Sequence, residues 1–310
     1  MSLIWILLVL LLLLLVCLAA AVFMFDFAIR RVPRFTKLPP EAQQGARGEL
    51  RRRGEEYLAA RPHEQWTITA ADGTRLCAGF WPADTPTGKT VLAIHGYRCT
   101  GTKEYGMFAQ FYHGLGYNLL LPDDRAHGAS GGDYVGFGWL DAADCIAWAN
   151  EAVRRLPGCR ILLHGISMGS ATVLMAAGQD ALPPCVQGVI ADCGYSSAWA
   201  QFVWQMKQMF HLPPFPVLHL ASLVCRLRAG YWFGQADTVK WAGRIRVPVQ
   251  FIHGEADTYV PTAMVHPLYE ACPAQKFLCL VPGAPHAASY STDPELYENT
   301  VRAFLKTISF

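Results

Sequence analysis

The chain predicts an α/β fold, a mostly parallel central sheet with helices on both faces, preceded by an N-terminal transmembrane helix. Three observations predict it. Short apolar runs of strand length alternate with longer helical segments through most of the chain. Residues able to do chemistry stand just after several of those runs, namely Ser167, Asp257 and His286. Residues 3–25 are an uninterrupted apolar stretch with no charge before Asp26, and a helix needs about 20 such residues to cross a bilayer.

Composition sets the outer bounds. The chain has 310 residues, 52% hydrophobic and 16% charged, enough for one large α/β domain beyond the apolar leader. Its net charge of +2 gives no electrostatic case for a nucleic-acid partner. The ten cysteines are scattered without a Cys-x-x-Cys pair, which argues against a zinc site or redox pair. So many unpaired thiols favour a reducing compartment, although an even count also permits disulfides.

The apolar stretch is read as a single-pass anchor, residues 1–29, because Met1-Ser2 carries no basic n-region. Ala19-Ala20-Ala21 keeps a cleaved signal, and hence secretion, as the alternative. Bulky Val16 before Cys17 weakens a lipoprotein reading. Arg30, Arg31, Arg34 and Lys37 follow the stretch directly, so the positive-inside rule puts the remainder in the cytoplasm. Residues 30–65 read as a basic juxtamembrane stalk against the membrane or the domain surface, with a short helix over residues 41–60. A fragment starting near Arg61 is therefore expected to be soluble and active.

The main domain is read as residues 66–310. Residues 66–69 and 76–81 are strands joined through Asp72-Gly73, a hairpin signal. A strand over 90–95 ends in His95-Gly96-Tyr97, a helix covers 103–115, and a strand covers 117–122. The polar loop Asp124-Arg125-Ala126-His127-Gly128 suggests a metal at first sight. With no ligand cluster nearby, it reads better as a hydrogen-bonded loop that fixes itself. Residues 139–155 form an amphipathic helix with Leu140, Ala143, Ala147 and Trp148 at apolar positions.

Residues 159–163 are a short buried strand, and residues 170–177 a small-residue helix. Between them lies His164-Gly165-Ile166-Ser167-Met168-Gly169, a Gly-x-Ser-x-Gly turn. On such a turn the serine is strained, its hydroxyl points out, and a helix N-terminus offers free N–H groups beside it. Strands follow over 186–191, 249–254 and 277–281, and a closing helix over 294–307. Residues 196–236 break the alternation with two helices around Pro213-Pro214-Phe215-Pro216.

The turn around Ser167, and the order Ser167, Asp257, His286 with each residue behind a strand, resemble the serine hydrolases of the α/β-hydrolase superfamily. The resemblance covers the chain from about Trp66 to the C-terminus. Within that superfamily the chain is similar to the membrane-anchored Bem46 and serine-aminopeptidase-like group. It shares His95-Gly96, the loop from Asp124 to Ser130, and the Gly-x-Ser-Met-Gly turn.

The resemblance implies Ser167 as nucleophile, His286 as base and Asp257 as orienting acid. It implies the backbone N–H groups of Tyr97 and Met168 as the oxyanion hole, and no metal or organic cofactor. Residues 196–236 would be a small helical cap, whose aromatic and Met side chains either line an apolar pocket or pack the cap onto the core. Some members carry the acid at the strand end occupied here by Asp192. The spacing in Gly254-Glu255-Ala256-Asp257 favours Asp257, and Glu255 stands two residues early. The implied reaction is hydrolysis of an ester or related acyl bond in a small substrate with an apolar portion. Peptidase, thioesterase, acyl-transfer and non-catalytic ligand-binding readings stay open, as does the oligomeric state.

Overall fold

The computed structural model describes residues 3–31 and 45–308. Helices α1 (Leu3–Ala28) and α2 (Gly45–Ala59) lead into strands β1 (Glu64–Thr69), β2 (Arg75–Trp81) and β3 (Lys89–Ile94). Then come α3 (Gly101–Gly114), β4 (Tyr117–Asp123), α4 (Trp139–Arg155), β5 (Arg160–Ile166), α5 (Met168–Ala177) and β6 (Val186–Asp192). The chain continues through α6 (Ala198–Phe210), α7 (Val217–Ala229), α8 (Thr238–Ala242), β7 (Val249–Gly254) and α9 (Val265–Ala271). It ends with β8 (Lys276–Val281), α10 (Ser289–Thr292) and α11 (Pro294–Thr307).

The strands form one eight-stranded sheet in the order β1-β2-β4-β3-β5-β6-β7-β8. β1 with β2 and β2 with β4 are antiparallel, and all later neighbours are parallel. The central strands are buried on both faces, which is why they read as continuous apolar runs. β3 lies between β4 and β5. The chain therefore leaves β3 toward one side and returns to its other side, and a crevice opens at the C-terminal ends of β3 and β5.

One apolar layer packs under α3 and α11, through Tyr105, Phe108, Tyr297 and Phe304. The other lies beneath α4, α5 and α8, and runs on into α6, α7 and the end of α1. Helices α8, α9 and α10 were not foreseen. At 5, 7 and 4 residues they are too short to carry a helical period.

The N-terminal part packs on the domain surface. Ala21, Phe25 and Ile29, four residues apart on one stripe, are wholly buried. Phe25 packs on Tyr134 with ring centroids 5.4 Å apart. Arg31 donates to the carbonyls of Ser130 (2.6 Å) and Gly128 (2.9 Å). α2 lies on α3 so closely that a Cβ on Gly54 would overlap the Gly106 backbone. Arg51 of α2 pairs with buried Glu104 of α3 at 2.8 Å, and Leu58 takes the Trp81 indole N–H at 3.0 Å.

Residues 45–59 thus lie against the domain surface. The packing runs against a soluble fragment starting near Arg61, which would leave Glu104 buried without its cation. Residues 41–44 of the expected helix, and Arg34 and Lys37, lie outside the described residues.

Candidate active site

Ser167 sits between β5 and α5 with φ 57 and ψ −114, a backbone conformation that non-glycine residues rarely adopt. The flanking glycines make the turn possible. A Cβ at Gly165 would overlap the Gly169 carbonyl, and one at Gly169 would overlap the Ile94 carbonyl. The strain presents the Ser167 hydroxyl at the sheet's C-terminal edge, beside the N-terminus of α5.

Ser167 Oγ lies 2.9 Å from His286 Nε2, and His286 Nδ1 lies 2.7 Å from Asp257 Oδ2. The other Asp257 oxygen accepts the backbone N–H groups of Tyr259 (3.0 Å) and Val260 (2.9 Å). Burial alone would raise the Asp257 carboxyl, but its hydrogen bonds with His253 and His286 outweigh burial and hold it at about 2. The His286 side chain is 21% exposed, so the chain of three ends at an open face.

Asp192 is in a different place. Its oxygens accept Ser289 Oγ and Tyr297 Oη, each at 3.2 Å, and burial raises its carboxyl to about 6. Glu255 is exposed and stands away from this hydrogen-bond chain.

The loop after β3 runs alongside the serine. The Cβ position of Gly96 is 3.4 Å from the Ser167 Cβ, which brings the Tyr97 backbone next to the Ser167 hydroxyl. Met168 is the first residue of α5, so its N–H lies at the helix N-terminus. The polar loop after β4 braces this arrangement. His95 Nε2 accepts from Asp124 N (2.9 Å), and His127 Nε2 accepts from Arg98 N (3.1 Å). Arg125 forks onto Asp144 at 2.6 and 2.8 Å and reaches Asp72 at 2.8 Å. Burial pulls His127 down to about 3, so it is a neutral hydrogen-bonding group at neutral pH.

Three neighbours had no signal in the sequence. His253 Nε2 is 3.3 Å from Asp257 Oδ2 and 2.9 Å from the Val260 carbonyl. The Tyr259 ring lies 4.9 Å from the His286 ring. Cys193 offers a sulfur within 4.8 Å of the Asp257 and His286 ligand atoms. Its thiol is raised well above its ordinary range by burial, and His286 is already bonded directly to Asp257. Tyr97 donates its hydroxyl to the Ala28 carbonyl of α1 at 2.8 Å, so the end of the apolar helix touches the residue beside Ser167. His253 lies inside a run read only as strand, and Cys193 two residues beyond another.

No protein-family model matches the chain. It is 30% identical over 236 residues to the uncharacterized protein YqkD of Bacillus subtilis strain 168, covering 74% of each chain. It is 26% identical over 236 residues to the uncharacterized protein YfhR of Escherichia coli O157:H7, covering 74% of this chain and 75% of that one. Among solved structures, the esterase Pf2001 of Pyrococcus furiosus superposes with a TM-score of 0.66 at 23% identity, covering 91% of this chain and 98% of that one. The α/β hydrolase GrgF of Penicillium sp. sh18 superposes with a TM-score of 0.61 at 18% identity, covering 80% of this chain and all of that one. This sheet order, this strand-to-helix turn and these solved structures give the chain the α/β-hydrolase fold, and at 30% identity over 74% of both chains it belongs to one family with YqkD.

Proposed function

We propose that the protein is a serine hydrolase that cleaves a carboxylic ester or related acyl bond through an acyl-enzyme. The observation that carries this reading is the continuous hydrogen-bond chain from Ser167 through His286 to Asp257, with Ser167 on a strained turn at a helix N-terminus. His286 Nε2 takes the Ser167 proton as Oγ bonds to the substrate carbonyl carbon. The carbonyl π pair moves onto oxygen, which faces the N–H groups of Tyr97 and Met168. Collapse breaks the bond to the alcohol, and the alcohol leaves with the proton from His286. Water then attacks the acyl-enzyme with His286 again as base, which frees the acid and restores Ser167. Asp257 keeps the imidazole in the useful tautomer throughout.

Esterase-named neighbours, Pf2001 and Est1E of Butyrivibrio proteoclasticus, support acyl-bond chemistry as a class. A series of p-nitrophenyl esters of increasing chain length on the full-length protein tests the reading. Ser167→Ala is expected to lower turnover by at least ~10⁴-fold while folding is kept. Wild-type-like turnover in that folded variant would sink the mechanism.

For location, we infer that α1 remains as a membrane anchor with the hydrolase domain on the cytoplasmic side. Its length and its mean hydropathy of 3.4 support the anchor, and the basic residues behind it support the orientation. Digestion of the domain by protease added outside intact cells would contradict this.

A further inference from the structure

α1 divides into two parts with different surroundings. Its first 18 residues, 3–20, are exposed or half-buried, whereas Ala21 and Phe25 near its end are wholly buried in the domain. Eighteen residues rise about 27 Å as a helix, close to the ~30 Å hydrocarbon core of a bilayer. With that free part in a membrane, the docked turns lie at the membrane surface, and so does whatever packs on them.

What packs on them is the pair α6 and α7. α7 runs against α1, with Arg228 3.5 Å from Asp26. Phe210 of α6 meets Phe27 of α1 edge-on, ring centroids 6.4 Å apart. Where these helices meet, a cleft of about 60 Å³ opens, lined by Met24, Phe27 and Ala28 of α1 and by Phe202, Met209 and Ala221 of α6 and α7. Its lining is apolar except for Gln205, whose amide nitrogen donates to the Tyr259 carbonyl at 2.7 Å. A peptide or sugar here would leave its polar groups unpaired; an alkyl chain would not.

The cleft has an inner wall and an outer rim. On the inside, Phe202 packs on Phe137 at 4.7 Å, and Phe137 on Tyr97 at 5.3 Å. The two residues that flank the reacting group are fastened to the cleft: Tyr97 by its bond to Ala28, and Tyr259 by its carbonyl to Gln205. On the outside, Met209 is half exposed; farther along α6, α7 and the turn between them, Phe215 is 70% exposed and Leu227 is 76% exposed, with Leu212 and Leu223 also open. Open apolar side chains on helices that pack against a membrane-length helix are surface matched to lipid.

We propose that the apolar portion of the substrate is the acyl chain of a membrane lipid, and that this chain enters from the bilayer between α1, α6 and α7 to bring its ester to Ser167. The proposal rests on the serine-hydrolase reading above. The resting cleft has room for about two water-sized groups, so only the first carbons fit without movement. Its methionine lining is the kind that repacks at low cost to admit more.

The test uses the full-length protein in phosphatidylcholine vesicles with two alkyl fluorophosphonates, one ethyl and one long-chain with a diazirine at the tail end. The expected result is an adduct on Ser167 from both probes, with the long tail photo-crosslinked to α1, α6 or α7. In the same vesicles, Met209→Trp is expected to lower the palmitate-to-acetate rate ratio for p-nitrophenyl esters by at least ~10-fold. Cleft variants that fold poorly are covered by the crosslink map, which needs only the wild-type chain. Ser167 adducts whose tails crosslink elsewhere overturn the portal and leave the hydrolase reading standing. Absence of any Ser167 adduct from the ethyl probe takes down the hydrolase reading and the portal with it.

Discussion

Asp192 and Asp257 are two buried carboxylates at the C-terminal ends of neighbouring parallel strands, and their surroundings shift them in opposite directions. Asp192 ends β6 and faces into the core. Tyr297 joins it to His164 at 3.0 Å, and His164 is joined to Tyr112 at 2.8 Å, a network sealed between sheet and helices. Burial dominates there and raises the carboxyl to about 6. Asp257 lies three residues beyond β7, bonded to two imidazoles and two backbone N–H groups, and is held at about 2. The lesson is that strand-end position does not define a catalytic acid. The partners do: a carboxylate that must stabilise an imidazolium needs donors that keep it ionised.

The largest expected effect breaks the comparison in activity. Asp257→Asn should lower kcat for ester hydrolysis by ~10⁴-fold through the wrong histidine tautomer, and Asp192→Asn by less than ~10-fold. The reverse ranking in two folded proteins would reassign the acid. Steady-state kinetics with one soluble ester is sufficient to decide.

A third buried carboxylate sharpens the contrast in stability. Burial would raise Glu104 too, but Arg51 and Arg47 beside it hold it below its ordinary range. Arg51→Ala removes the nearer cation and should cost ~3–5 kcal/mol, measured by denaturant unfolding. A cost under about 1 kcal/mol would mean that α2 is not an integral part of the fold.

The next effect is a pH dependence. Asp192 keeps its proton up to about pH 6 when folded, against roughly 3.9 in an unfolded chain. Between those values the native state binds more protons, so this residue makes stability fall as pH rises. Above pH 6 the penalty is complete, ~3 kcal/mol for a shift of about two units. Asp192→Asn should therefore gain on wild type progressively from pH 4 to pH 7. Asp257 has the opposite sign. Its contribution is present above about pH 4 and is lost as pH falls toward 2. Unfolding curves at pH 4 and pH 7 for Asp192→Asn, and at pH 2 and pH 5 for Asp257→Asn, each against wild type, check the two signs.

The smallest effect concerns the link between Asp192 and the core. Tyr297→Phe strips a donor from Asp192 and a partner from His164, at a cost of ~1–3 kcal/mol. Activity should change far less than in Asp257→Asn. A loss of similar size would make Asp192 part of the chemistry.

The strands and the long helices were legible because period and punctuation agreed: α4 and α11 fall on the expected residues, 139–155 and 294–307. The serine turn was legible because Gly165 and Gly169 are demanded by backbone contacts that only glycine allows. What stayed hidden depends on residues far apart in the chain. Arg51 reads as one more arginine in a basic stretch until Glu104 is seen beneath it. His253 reads as strand until Asp257 folds back over it. The apolar helix reads as a separate anchor, yet Ala28 receives the hydroxyl of Tyr97. Local pattern reports burial and period; it does not report which distant polar group a side chain will meet.

The central claim is that Ser167, activated by His286 and Asp257, is the nucleophile. Peptide mass spectrometry of the full-length protein after brief exposure to ethyl fluorophosphonate near neutral pH tests it most directly. The expected result is one adduct, on Ser167, formed rapidly in wild type and greatly slowed in Asp257→Asn. A folded wild-type protein that stays unlabelled, or is labelled at another serine, would contradict it.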